Sequence, residues 1–338
     1  MMYLIRINEY SSTPKYLQII NSIVTGIETQ SIRVNDKLPS INEVSANFDV
    51  SRDTVEKAYR KLKARGLISS VPGKGYYITN TNYRPRRKIF LLFNKLSAHK
   101  KIIYDAFVNT LGENVSIDFF VYHNNFRIFK DLLLNNDGSY THYVIISHFF
   151  TGEEKAREII NQLPKHKLFL LDKKIEGITG TYAALYQPFE EDIYQAMQEA
   201  RPDLAKYRQL KIIFPPHTYH AKGILKGFQR FCIEQGIPGK IVPDIGREPI
   251  SAGEAYITLM EDDLVTLIKK TKQENLKVGQ DLGIISYNEN PLKEILLDGI
   301  TVMSTDFQGM GVKAAEMILN NDLSHVENPF TLIRRNSL

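Results

Sequence analysis

The sequence predicts a small N-terminal α+β unit of helices and a hairpin, followed by an α/β part in two halves, each built on a parallel sheet. Three observations predict it. Residues 38–78 hold two capped helical stretches and a tight turn between alternating strands. From Lys88 onward, short apolar runs recur at intervals long enough for an intervening helix, the pattern of buried parallel strands. Charge divides in the same place: residues 1–88 carry 15 Lys and Arg against 7 Asp and Glu, net +8, which leaves 28 against 31, net −3, for residues 89–338. A basic field confined to the first unit suits a polyanion there, and such binding weakens as salt rises.

In the first unit, Thr13-Pro14 opens a helix with Pro at the tolerated first position, and Tyr16, Ile19, Ile20, Ile23 and Ile27 repeat at helical spacing. Ser40 and Glu43 form an S-x-x-E capping box, which starts a second, short helix interrupted at Asp49-Val50. Ser51 caps a third, whose Val55, Ala58, Tyr59 and Leu62 make one inward apolar face. The opposite face carries Arg52, Thr54, Lys57, Arg60, Lys61 and Lys63, and Gly66 stands where a glycine ends a helix. Leu67–Val71 and Tyr76–Thr79 alternate around Pro72-Gly73-Lys74-Gly75 and read as a hairpin with Lys74 at its tip.

Pro14-Lys15-Tyr16, Leu38-Pro39-Ser40, Val50-Ser51-Arg52-x-Thr54-Val55, Ala58-Tyr59, Gly66-Leu67-Ile68 and Gly73-Lys74-Gly75 stand in the order and spacing of the GntR winged helix-turn-helix. The stretch from 10 to 79 resembles that family. The resemblance implies that Ser51, Arg52 and Thr54 contact DNA from the recognition helix, that Ser40 contacts phosphate, and that Gly73 and Lys74 enter the minor groove. It places Asn42 where many members carry a base-reading Arg, and Glu56 where another Arg is common. Lys57, on the same basic face, joins the candidate DNA contacts.

The hydrophobic content of 43% with 24% charged residues is ordinary for a globular protein, and 338 residues allow two or three domains. No apolar run approaches the roughly 20 residues of a membrane span, so a cytoplasmic protein is expected. Cys232 is the single cysteine, which excludes an internal disulfide and cannot build a metal site alone; no metal and no cofactor are expected. Residues 1–79 read as the first domain and 80–88 as a linker, where Arg86 or Arg87 could meet phosphate. The remainder, 89–338, reads as two lobes: one from about 89–186 and 298–322, the other from about 187–297 and 323–338.

The expected strands are Ile89–Phe93, Ser116–Tyr122, Tyr143–Ile146 and Leu168–Leu171 in the first lobe, then Lys211–Phe214, Gly239–Val242, Ala255–Leu259 and Leu282–Ser286 in the second. Ligands of open parallel sheets sit beyond the C-terminal strand ends. Polar residues stand there: Asn94, His148, Asp172, His217, Glu261, Asp262 and Asn288. Tyr182, Tyr186, Tyr219, Phe149 and Phe150 are candidate apolar walls for a sugar. Strand ends also meet solvent, and turns want the same polar residues.

Val278-Gly279-Gln280-Asp281-Leu282-Gly283-Ile284-Ile285-Ser286-Tyr287-Asn288-Glu289, then Asp306-Phe307-Gln308-Gly309-Met310-Gly311-Val312 and Leu332–Ser337, resemble the end of a LacI/GalR-type effector domain, related to periplasmic binding proteins. A winged helix joined to such a domain is the arrangement of the arabinose repressor. In this sequence Asn288 takes the place of the family's usual sugar-binding Asp. Ile224 falls where an Arg is usual, with Lys222 nearby as its candidate replacement, and Glu261 or Asp262 stands in for an Asn-Asp pair.

Together these readings lead to a sugar-responsive transcription regulator, a repressor, that binds a palindromic operator in double-stranded DNA as a homodimer and is released by a small neutral sugar. The alternatives are a C-terminal domain that binds a sugar phosphate or nucleoside, with Lys95, Lys173, Lys174 and Lys222 as the available cations, or one that only dimerises. An enzyme is disfavoured: no G-x-G-x-x-G or P-loop follows a strand, and no S-x-x-K or G-x-S-x-G motif occurs.

Overall fold

A computed structural model describes residues 4–9, 11, 13–81, 87–113, 115–135 and 140–338. The N-terminal unit comprises α1 (Lys15–Glu28), α2 (Ile41–Phe48), α3 (Arg52–Ala64) and the antiparallel hairpin β1 (Ile68–Val71) with β2 (Gly75–Ile78). Pro14 is the N-cap of α1 rather than its first helical residue, because its extended ψ of 136 precedes the helical turn. Both bonds of the Ser40–Glu43 capping box form, and Ser51 accepts from the Thr54 N–H. Val55, Ala58, Tyr59 and Leu62 are fully buried against Ile19, Ile20 and Ile23 of α1, so amphipathic spacing sets the packing of the three helices. Gly66 follows α3 at φ +68, a left-handed position open to glycine.

The first lobe runs β3 (Arg87–Phe93), α4 (Ala98–Leu111), β4 (Val115–Val121), α5 (Phe126–Leu134), β5 (His142–Ile146), α6 (Glu153–Gln162), β6 (Leu168–Asp172) and β7 (Ala183–Tyr186). The second adds α7 (Phe189–Glu199), α8 (Arg201–Leu204), β8 (Gln209–Ile213), α9 (Lys222–Gln235), β9 (Gly239–Val242), β10 (Glu254–Thr258), α10 (Glu261–Gln273), β11 (Leu282–Tyr287) and α11 (Pro291–Ile295). The chain closes with β12 (Thr301–Thr305), α12 (Phe307–Leu319), β13 (His325–Glu327) and β14 (Phe330–Ile333). Every apolar run read as a strand is one. Arg87 begins β3, and its guanidinium donates to the Leu319 carbonyl at 2.8 Å; Arg86 lies outside the described residues.

The two sheets have the order β4-β3-β5-β6-β7-β13 and β9-β8-β10-β11-β12-β14, parallel throughout except for the antiparallel pairing of β14 with β12. Each has apolar clusters on both faces, as covered parallel sheets require. The closing segments distribute differently from expectation. Residues 301–305, read as first-lobe chain, form β12 in the second sheet, while α12 packs on the first lobe through Phe307, Met310, Ala314 and Ala315. Residues 325–327, read as second-lobe chain, form β13 in the first sheet, and β14 returns to the second. The apolar pattern of each strand is the same in either sheet, so strand identity carried no lobe assignment.

In both sheets the order changes direction beside the first strand, and the C-terminal strand ends of the two lobes face each other across a cleft. Among the described residues no helix is long and apolar enough to cross a membrane.

Candidate functional site

Two functional surfaces are built by different parts of the chain. On the N-terminal unit, Ser40, Asn42, Ser51, Arg52, Lys57, Gly73 and Lys74 are exposed and Thr54 is half-buried, at the starts of α2 and α3 and the hairpin tip. The hydroxyls of Ser40 and Ser51 serve their own helices as caps, and Ser51 Oγ lies 2.8 Å from Thr54 Oγ1. Lys63 Nζ donates to Ser70 Oγ at 2.8 Å and ties α3 to the hairpin. Gly73 adopts φ +72, which the turn before Lys74 requires. The result is a helix start that exposes Arg52 and Lys57 beside Asp53 and Glu56, and an exposed loop tip, on one domain, with the Lys57 ammonium 4.2 Å above the Tyr16 ring of α1.

The second surface is the cleft between lobes, which encloses about 90 Å³. Asn94, His148 and Asp172 line it from the first lobe, and Glu261 and Asn288 from the second. Lys95, His99, Lys100, Gln187, Phe189, Tyr219, His220, Ile224 and Tyr287 complete much of the wall. The remaining residues read as ligand contacts lie elsewhere. His217, Lys222 and Asp262 are exposed outside the cleft, and Tyr182 is buried with its ring 4.6 Å from His325. Lys222 opens α9 and faces solvent while Ile224 faces the cleft, so Lys222 does not supply a cation at the position where the family has Arg. Of the expected aromatic walls, Tyr219 lines the cleft, Phe149 packs on Tyr122 and Phe129, Phe150 is 54% exposed, and Tyr186 lies under the Lys174 ammonium.

At the centre of the first-lobe wall sits a buried charge cluster. Lys100 Nζ is 2.5 Å from Asp172 Oδ2, His148 Nε2–H donates to the same oxygen at 3.0 Å, and Gln187 donates to the other. Burial alone would raise the Asp172 carboxyl, but the Lys100 charge and the His148 bond drive it well below the usual carboxylate range. Asp172 is thus ionised and fully occupied. His148 is held down by burial despite Asp172, and stays neutral; with Nε2 keeping its proton and donating that N–H to the carboxylate, its Nδ1 presents a lone pair. His220 is pushed down to about 3 by burial, His148 and Lys95.

Backbone strain marks the same place in both lobes. Asp172 at the end of β6 has φ +74, and Asn288 just past β11 has φ +65, both in the left-handed region. Buried Lys293 holds the second turn by donating to the Tyr287 and Asn288 carbonyls at 3.1 and 2.6 Å. Around the cleft, Asn94 Oδ1, His148 Nδ1, His220 Nε2, Tyr287 OH and Asn288 Oδ1 are buried with no hydrogen-bond partner among the described residues. A buried polar atom left unpaired costs about 1–3 kcal/mol, so five around one cleft form a wall suited to a polar partner. The lobes already touch at its rim, where Lys95 donates to the Tyr219 hydroxyl and His99 Nε2 lies 2.9 Å from the Glu289 carbonyl.

Sequence reasoning did not find Lys100, Gln187, His220, Tyr287 or Lys293. Tyr287 stood beside Asn288 in the quoted motif and Gln187 directly follows Tyr186 at the chain's first crossing between lobes. Lys100 left no local signal because its partner Asp172 lies 72 residues away; Lys293 and His220 left none because the turn that buries Lys293 and the cleft wall that buries His220 form only in the folded chain.

This architecture, a DNA-reading winged helix on a two-lobed ligand-cleft domain, defines the class. Residues 15–78 match the model of the gntR family of bacterial regulatory proteins, and residues 205–338 match a periplasmic binding protein-like domain. The chain therefore joins a GntR helix-turn-helix domain to a periplasmic-binding-protein-like domain. It is 37% identical over 76 residues, 22% of its length, to the HTH-type transcriptional repressor YtrA of Bacillus subtilis (strain 168), of which that match spans 58%. It is 31% identical over 75 residues to the arabinose metabolism transcriptional repressor of Geobacillus stearothermophilus, covering 22% of this chain and 20% of that protein. The chain spans 14 to 58% of the length of the first curated relatives that it matches. Its fold is similar to that of the dimeric Lac repressor, with a TM-score of 0.61 and 14% identity over 74% of this chain and 98% of that one. It is likewise similar to a LacI family regulator of Lactobacillus casei with bound glucose, with a TM-score of 0.59 and 12% identity over 74% and 99%.

Proposed function

We propose that the protein is a sugar-responsive transcription repressor. The winged helix binds a palindromic operator, two copies of the chain supply the two half-sites, and a small neutral sugar in the interlobe cleft releases the DNA. Its ligand contacts are Asn94, His148, Glu261 and Asn288 with His220 and Tyr287, while Asp172 holds His148 and Lys100 in place. The observation that carries this reading is the set of unpaired buried polar atoms around the cleft of a domain joined to a basic reading head.

Neutral polyols suit that wall because hydroxyls donate and accept, and His148 Nδ1 needs a donor. A phosphate offers acceptors where the wall wants donors. The cations it would need are engaged: Lys100 on Asp172, Lys95 on Tyr219 and Lys173 on Glu153. The repressor and glucose-bound LacI-type relatives support the same reading without extending their ligands to this chain.

Calorimetry tests it. Neutral monosaccharides and their phosphates are titrated into the protein, free and bound to a duplex selected from a random pool. A neutral sugar should bind the free protein more tightly than the complex, and by linkage lower duplex affinity by the same factor. Binding of phosphates alone, or sugar binding indifferent to DNA, overturns the reading.

A further inference from the structure

We propose that the winged helix is clamped to the first lobe by side chains that cap the open edge of β4, and that α4 carries the state of the cleft to the recognition helix. The regulatory half rests on the cleft being the effector site; the clamp itself does not.

As the outermost strand of its sheet, β4 has main-chain groups on one side that no strand among the described residues pairs. The N-terminal unit covers them. Buried Thr13 donates its hydroxyl to the Phe119 carbonyl at 3.1 Å and accepts the Phe119 N–H at 3.0 Å, as a neighbouring strand would. One turn and more along α1, Asn21 donates to Asp118 Oδ1 at 3.0 Å and accepts from Ser116 Oγ at 3.1 Å. Tyr140 fixes the other Asp118 oxygen at 2.8 Å, so Asn21 meets a positioned carboxylate. The docked domain keeps Arg52, Lys57 and Lys74 exposed, so the clamp leaves the reading face free.

Phe119 also faces α4. Its ring lies 5.0 Å from that of Tyr104. Tyr104 is one turn beyond Lys100, which reaches Asp172 in the cleft. On the DNA side, Tyr16 of α1 lies close enough to Asp105 of α4 for that charge, after burial, to raise its hydroxyl, and Lys57 of α3 stands over the Tyr16 ring. Packed groups thus run from Asp172 through Lys100, Tyr104 and Phe119 to Thr13, Tyr16 and Lys57. The winged helix moves with the first lobe as one body, and the second lobe is left to swing. A ligand that redirects Lys100 or His148 shifts α4 against α1.

Amide hydrogen exchange on the full-length protein, without sugar or DNA, tests the clamp. Thr13→Val combined with Asn21→Leu should speed exchange of the Phe119 amide by about tenfold, while Tyr59 of α3 and the strands β8, β10 and β11 keep wild-type protection. Wild-type protection of Phe119 in this variant overturns the clamp. Lys100→Met should alter exchange in α1 as well as at the cleft; an α1 that stays unchanged while cleft amides respond overturns the relay. Tyr104→Leu provides the same test of the relay should Lys100→Met not fold. Because no ligand is present, these outcomes are independent of the sugar titration: a sugar that fails to bind overturns the effector reading and leaves the clamp result standing.

Discussion

Asp172 organises the cleft by being unavailable to the ligand. Its carboxylate is spent on Lys100, His148 and Gln187, and a buried pair broken by removing one partner costs about 3–5 kcal/mol. Asp172→Asn is therefore expected to lower the urea midpoint substantially. It should also weaken sugar binding indirectly, by freeing the His148 tautomer. The histidines set a pH signature. His148 and His220 are neutral when folded, with values below the free imidazole value of about 6.5. A depressed folded value means stability that is complete above about pH 6.5 and is lost as pH falls toward the folded value, about 3 for His220. Asp172 adds a loss in the same direction below its unfolded value of about 3.9. Urea midpoints measured from pH 7 to 4 should fall, and His220→Gln should flatten that fall; an unchanged slope would contradict the neutral buried ring. On the DNA side, Arg52→Ala should cost about 1–3 kcal/mol on a selected duplex and little on random DNA if it reads a base. Lys74→Ala should weaken both evenly and reduce the salt slope.

Helices and strands were the most legible part of the chain, because caps and periodicity are local. Ser40 with Glu43 and Ser51 each set a helix start that the sequence alone announces, and the apolar run at 143–146 can be nothing but a covered strand once helices flank it. Orientation was less legible. Lys222 and Ile224 both open α9, but the strand-to-helix connection turns Ile224 inward, and no composition cue fixes that rotation. Polar strand ends found Asn94, His148, Asp172 and Asn288, whereas Lys100 and Lys293 look like solvent lysines until their partners arrive from 72 and 5–6 residues away. One element contact invites a direct test. A Cβ on Gly311 of α12 would lie 2.5 Å from the Ile103 carbonyl oxygen and 2.7 Å from the Ala106 Cβ of α4. Gly311→Ala must then push α4 outward, at an expected 1–3 kcal/mol typical of about one methyl too many in a packed core. Thermal unfolding gives the size, and the same shift should disturb Lys100.

For the molecule as a whole, charge divides where the domains divide: a basic head suited to a polyanion and a near-neutral body. A palindromic operator requires two heads, so a dimer is expected in analytical ultracentrifugation with duplex DNA, and a monomer held tightly on a half-site would contradict it. The path of the chain has a separate consequence, for how the molecule is made. It passes from the first lobe to the second after β7, back after β12 and across again after β13. A ribosome therefore delivers nearly all of the second lobe before the first receives α12, the helix that covers α4. Until then the first lobe holds an uncovered apolar face at Ile103 and Phe107, and the second lacks its β14 edge. The head has a core of its own within residues 5–78 and is delivered first, but the two lobes must wait for each other, which makes their maturation late, mutually dependent and the stage at which chaperones matter most.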